Sequence, residues 1–391
     1  MERIELCSDE ERMDIARKLG AKSAWQDNET GLIKVLLHGE TFNIGGISTL
    51  ADRQGNRLTQ EEFDYLGDSS DGLFKVHVPG GKFGYLETTG EFAIPPVYDW
   101  AQAFSEGLAW VIRDGRRLIV NKSGSEITPE PLPVGDYMEV HPFQHGRARV
   151  SIVDFRDGIG FKFGALAYHH DEDKYAGIWG YVDTAGKIVV PPQYIFAEDF
   201  CDGLAVVCKG EWTRDKKWDN QYNQGRLWSE RMDWGAIDRE GREVIPCKFQ
   251  SIKWRPFDDS LEWQDKTEIA KHFLAAQDES GLWGLIDFQG NWVVQPQFGD
   301  MGYEYQSSPN GDMFVFYARD IWGGGDPDET PCGVYSISRQ HIIIPADKYV
   351  EIEFLDDTTV EVQETPNGPT KTLRLLNDHV SELPSATECK T

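Results

Sequence analysis

The residues of this chain that could do chemistry stand at spacings that do not make a reactive centre. His169-His170-Asp171-Glu172-Asp173 sets two imidazoles beside three carboxylates. Ligands to one metal recur at i, i+4 or C-x-x-C spacing, which this run lacks, so the preferred reading is a solvated loop. His141 and His145 are four apart, but they precede a strand pattern, and helical ligand geometry does not follow. Asp326-Pro327-Asp328-Glu329 lacks the glycine and the spaced ligands of an EF-hand loop. The six cysteines, Cys7, Cys201, Cys208, Cys247, Cys332 and Cys389, form no C-x-x-C pair. No phosphate-cradling glycine loop and no G-x-S-x-G elbow occurs. The expectation is a chain with no catalytic residue, no metal and no cofactor.

What recurs instead is structural. Trp179-Gly180-Tyr181-Val182-Asp183 continues through Gly186 to Ile188-Val189-Val190-Pro191-Pro192. Phe83-Gly84-Tyr85-Leu86-Glu87 continues through Gly90 to Ile94-Pro95-Pro96. Further copies open at Trp234-Gly235 and Trp283-Gly284. A second piece precedes the motif: Asp71-Gly72-Leu73, Glu106-Gly107-Leu108 and Asp202-Gly203-Leu204. Residues 73–78, 83–87 and 91–94 read as three strands. Gly80-Gly81 supplies a tight turn and Gly90 a left-handed one, with an acid before it to bond the turn backbone. Proline cannot donate to a ladder, so Pro95-Pro96 is expected to end the third strand, followed by a connector at 97–104. A glycine inside a strand marks a close approach. The expected neighbour is the preceding aromatic, lying buried across the adjoining unit. A ligand-stacking platform is the less favoured reading of these rings.

Second strands begin near Thr49, Phe83, Arg117, Trp179, Trp234, Trp283 and Cys332, with an eighth partial copy over 359–376. Self-similarity at this period means a repeat architecture. The predicted fold is all-β: a tandem array of seven to eight three-stranded β-meanders over 31–378. A propeller-like ring is preferred to an open superhelical β array, because closure removes sheet edges. Residues 1–30 form an N-terminal helical cap, with Ser8 and Glu11 as a capping box and Ile15, Ala16 and Leu19 as the docking face. Residues 379–391 are a tail. The motifs over 31–350, and residues 177–207 above all, resemble the WG-repeat family of bacterial proteins. That resemblance implies a binding scaffold and carries no catalytic motif with it.

Net charge is −27 over 391 residues. This argues against a phosphate-backbone or anionic-membrane binder, which needs clustered Lys and Arg, and favours a basic protein partner or solubility alone. No apolar run reaches the ~18 residues that span a bilayer. Met1-Glu2-Arg3-Ile4-Glu5 is too acidic for a signal peptide. Reduced thiols in a cytoplasm follow. Insertions interrupt the repeats at 154–176, 209–231 and 320–331. Trp212, Trp218, Tyr222 and Trp228 in the second, and Trp322, Asp326 and Asp328 in the third, are the expected partner contacts, since aromatics anchor interfaces. The expected function is a non-enzymatic protein-binding scaffold, in its most concrete form an immunity protein that neutralises a bacterial toxin. The alternative is a body that binds, and hydrolyses, a small molecule or glycan, with Trp and Tyr on sugar faces and an acid pair for acid–base work.

Overall fold

The computed structural model describes residues 6–39, 41–42, 45–127, 139–153, 177–201, 203–210, 213–215, 226–228, 232–253, 272–301, 306–319, 329–376 and 379–383. Two compact units divide the chain: Met1–Gly203 with Arg239–Gly241, and Leu204–Asp238 with Arg242–Thr391.

The first unit opens with the helix Asp9–Lys18. Ser8 accepts from the Glu11 amide at its N-terminus, and the Glu11 carboxylate accepts from the Ser8 amide at 2.7 Å. Acids fill its first turn and Arg17 and Lys18 its last, as the helix dipole favours. Buried Ile15 and Ala16 pack on Ala24, Ile33, Val35 and Ala51 of the first sheet, so the helix is the expected cap.

Four antiparallel meanders follow. They are Ser23–Gln26, Ile33–His38 and Ile47–Ala51; Tyr65–Ser70, Leu73–His77, Phe83–Leu86 and Phe92–Tyr98; Trp100–Ala101, Leu108–Arg113 and Arg116–Asn121; and Glu139–Val140, Arg147–Val153, Gly177–Asp183 and Ile188–Tyr194. The second unit repeats the plan. Its meanders are Leu204–Gly210, Met232–Asp238 and Glu243–Phe249; Ser251–Lys253, Leu274–Gln277, Trp283–Ile286 and Trp292–Phe298; Met313–Tyr317, Cys332–Ser336 and His341–Tyr349; and Glu351–Phe354, Thr359–Gln363, Lys371–Leu376 and His379–Glu382. The described residues thus hold eight meanders. The strands begin at Ser23 and reach Glu382, beyond the expected limits of 31 and 378. A short extra strand comes from the supposed connectors, as at Glu139–Val140 and Ser251–Lys253. Two or three residues are too few to show alternation, which is why pattern reading passes over them.

The double proline does not end the third strand. Phe92–Tyr98 runs straight through Pro95 and Pro96. Tyr85 pairs with Ile94 and Phe83 with Tyr98, so three residues on one strand face Gly84 alone on the other. The same shift recurs at Gly180, Gly235 and Gly284. A bulged residue leaves the ladder, so proline's missing N–H costs nothing there. This also corrects the reading of the glycines. A Cβ on Gly84 would lie 2.8 Å from the Ile94 oxygen and 2.9 Å from the Pro96 nitrogen. Glycine makes room for the bulged backbone of its own sheet, not for a ring from the next. The aromatics before it are indeed largely inside: Trp179 is 6% exposed and Trp283 5%, while Trp234 is half-buried.

Beyond the bulge, Tyr98, Tyr194, Phe249, Phe298 and Tyr349 are buried anchors. After Tyr98, Tyr194, Phe249 and Tyr349 a single residue, such as Asp99, leads into the next strand. Several turns after the glycine-bearing strands use their acid as expected: Asp287 Oδ1 accepts from Gln289 N at 2.9 Å and Asn291 N at 2.8 Å, and Gly290 takes the left-handed φ of 80°. Asp52, Asn121 and Asp183 do the same.

Carboxylates also fasten one sheet of the first unit to the next. Glu29 accepts from Gly72 N at 2.6 Å, Asp71 from Gly107 N at 2.6 Å, and Glu106 from His145 N and Gly146 N at 2.6 and 2.7 Å. Asp27 is the buried member of this set. Burial pushes its carboxyl up, but bonds from the Ser69 hydroxyl and amide and the Thr30 hydroxyl and amide outweigh that and hold it below the usual value. A depressed folded pKa contributes stability above the unfolded value of about 3.9, and that contribution is lost as pH falls through the folded pKa. Asp27→Asn should therefore cost about 2 kcal/mol at neutral pH. The gap in thermal midpoint from wild type should shrink between about pH 5 and pH 3. A gap that stays constant over that range would show that the carboxylate's charge is irrelevant.

Candidate partner-binding surface

The interruption at 209–231 grows out of the first meander of the second unit. Leu204–Gly210 pairs along its whole length with Met232–Asp238, ending at Gly210 opposite Met232. Beyond, Thr213–Asp215 pairs with Arg226–Trp228, setting Thr213 opposite Trp228 and Asp215 opposite Arg226. The two ladders run in the same sense with a one-residue shift in register, so the described part of the insertion continues the hairpin. At its base Met232 is exposed, and Lys209 forms an ion pair with Glu243. Trp228 is placed by the backbone of its strand. Trp212, Trp218, Tyr222, Trp322, Asp326 and Asp328 lie outside the described residues, as do His169 and His170.

The thiols beneath this hairpin are poor nucleophiles. Burial pushes Cys208 up to about 12 and Cys247 up to about 11, and it is the thiolate that attacks. Cys7, Cys201, Cys208, Cys247 and Cys332 are all free thiols. Among the described residues no group of three His, Cys, Asp or Glu side chains is placed to hold a metal ion.

A cluster of charge in the first unit surrounds Arg149. Its guanidinium lies 4.8 Å from the centre of the Trp179 ring, donates to the Ala197 carbonyl and sits 3.5 Å from Asp199. It also reaches His141 Nδ1 at 3.0 Å, and because guanidinium only donates, that nitrogen is the acceptor. The other ring nitrogen faces Glu139 at 3.4 Å. His145, in contrast, sits in a hairpin turn with φ 52° and gives its amide to Glu106. The two histidines flagged by their spacing therefore have separate duties. Lys75 fills the position of Arg149 in the second sheet, 4.7 Å from the Tyr65 ring centre, and burial lowers its pKa. These groups are engaged in holding strands. Sequence reading missed them because cation and ring come from different strands.

The strands that carry the aromatic–glycine pair are also where the comparison with known families finds its matches. The WG containing repeat matches residues 83–116, 179–218, 234–261 and 283–306, each match opening on the aromatic–glycine pair. The chain carries four segments that match the WG containing repeat. No curated protein matches it in sequence. Among solved structures, it is similar to a eukaryotic initiation factor at 10% identity and TM-score 0.39, covering 93% of this chain and 88% of that one. BamB from Moraxella catarrhalis is 10% identical with TM-score 0.28, covering 87% and 93%. Hsv2p of Kluyveromyces lactis is 10% identical with TM-score 0.28, covering 82% and 97%. The likeness to the family rests on the repeats alone. In these repeats the conspicuous Trp-Gly pairs serve the core and the bulge.

Proposed function

We propose that this protein is a non-enzymatic, protein-binding scaffold of the cytoplasm, with the hairpin within 209–231 as its principal contact element. The observation that carries the reading is that hairpin: a two-stranded extension leaving a repeat whose own residues are used in packing. Free thiols suit a reducing compartment. Among the described residues no helix is long and apolar enough to cross a membrane. The net charge of −27 would steer a basic protein towards the body of the array. In its most specific form the scaffold is an immunity protein that occupies and neutralises a basic toxin.

Replacing residues 211–231 by a short Gly-Ser bridge tests this. A tagged wild-type chain should recover a specific protein from its native host at about 50 mM salt and less of it at about 300 mM, as screening grows. The bridged variant should keep its thermal midpoint and lose that protein. Recovery of no specific protein by wild type sinks the scaffold reading. Binding that survives in the bridged variant moves the contact to another surface.

A further inference from the structure

Cations of the first unit hold one position in three of its sheets. Lys34, Lys75 and Arg149 each stand three residues after a turn glycine of positive φ: Gly31, Gly72 and Gly146. In two cases a carboxylate comes from one place in the chain that follows, four residues before the next turn glycine. Lys34 pairs with Asp68, four before Gly72, and Arg149 lies 3.5 Å from Asp199, four before Gly203. For Lys75 the corresponding residue, four before Gly107, is Ala103, exposed and uncharged. Among the described residues Lys75 has no carboxylate partner.

What surrounds Lys75 is aromatic. Its Nζ lies 4.7 Å from the centre of the Tyr65 ring and 5.9 Å from that of Phe83. Tyr85 stands directly opposite on the next strand and gives its hydroxyl to the Gln102 carbonyl at 2.6 Å. His77, two along on the same strand, is held by Asp64 at 2.6 Å. Ring faces attract an ammonium but bring no opposite charge. Burial therefore acts on Lys75 uncompensated and lowers its pKa. A lysine in such a setting keeps more of its amine neutral, with the lone pair that attacks a carbonyl carbon.

We propose that Lys75, set between the Tyr65 and Phe83 rings and left without the acid its counterparts have, is a nucleophilic amine that condenses with small apolar aldehydes. Its nitrogen adds to the carbonyl carbon, a proton passes from nitrogen to oxygen, and water leaves as the C=N bond of an imine forms. The rings suit an apolar aldehyde, and the missing carboxylate leaves nothing to hold the amine protonated. Lys34, with Asp68, is the same position made unreactive.

The test exposes the purified full-length protein to benzaldehyde at neutral pH, with cyanoborohydride to reduce any imine to a stable benzylamine. Peptide mass spectrometry then follows each lysine with time. Lys75 should be labelled about tenfold faster than the exposed Lys187 and than the paired Lys34. Ala103→Asp returns an acid to the position that Asp68 and Asp199 hold, and should slow Lys75 about tenfold while Lys187 is unchanged. Ala103→Asn, of the same size without the charge, should leave Lys75 close to wild type. Thermal midpoints within about 3 °C of wild type would exclude loosening of the sheet as the cause. Labelling of Lys75 no faster than Lys187 overturns the proposal, as do equal rates at Lys75 in Ala103→Asp and Ala103→Asn.

Discussion

Trp283→Ala is expected to lower stability by about 3–5 kcal/mol, the cost of deleting a large aromatic from a packed interior. Trp283 is 5% exposed and lies in a cluster with Leu285, Val294, Phe298, Phe314 and Tyr335. Rings from three strands meet there: Phe298 sits 5.3 Å from Tyr335 and 5.5 Å from Phe314, both nearly edge-on to it. The backbone around Trp283 is pinned by the bulge, so collapse into the vacated space is restricted and the cavity cost stays high. Trp234, equivalent in sequence but only half-buried, should cost clearly less when changed to Ala. Urea unfolding of both variants measures the contrast. Equal losses, or a loss below about 1 kcal/mol at Trp283, would show that the ring is not a core element.

The second large effect belongs to the smallest side chain. Gly235→Ala should cost about 3 kcal/mol, at the upper end for overpacking. The new methyl would meet the Ile245 carbonyl oxygen at 2.5 Å and the Cys247 nitrogen at 2.7 Å. Those are backbone atoms of a strand fixed by Phe249 at one end and Ile245 at the other, so they cannot swing aside. Gly107→Ala is the control. That glycine has φ 79° and open space around it, so the change costs about 1–2 kcal/mol from left-handed backbone strain alone. If Gly107→Ala proves the more damaging, the glycine of the pair is kept for conformation and not for close approach.

Much of the fold was legible in the residues. The aromatic–glycine period announced a repeat, and its copies at Phe83, Trp179, Trp234 and Trp283 all lie in the strand that faces the bulge of its meander. Asp183 and Asp287 were readable as turn-holding acids because the turn's bonds are local, within four residues. The capping box at Ser8 and Glu11 is local in the same way. Such features depend on φ, side-chain reach and period, which sequence carries directly.

Tertiary structure decided what depends on a partner strand. Pro95-Pro96 reads as a stop because proline lacks an N–H, yet it continues the strand, since a bulge opposite Gly84 removes the need to donate. The duty of Glu106 is likewise invisible until the turn at His145, 39 residues away, is laid beside it. Arg149 and Trp179 belong to neighbouring strands that sequence separates by 30 residues. Local chemistry fixes turns and periods; which face is filled, and which is left to meet another molecule, is set by contacts between strands far apart in the chain.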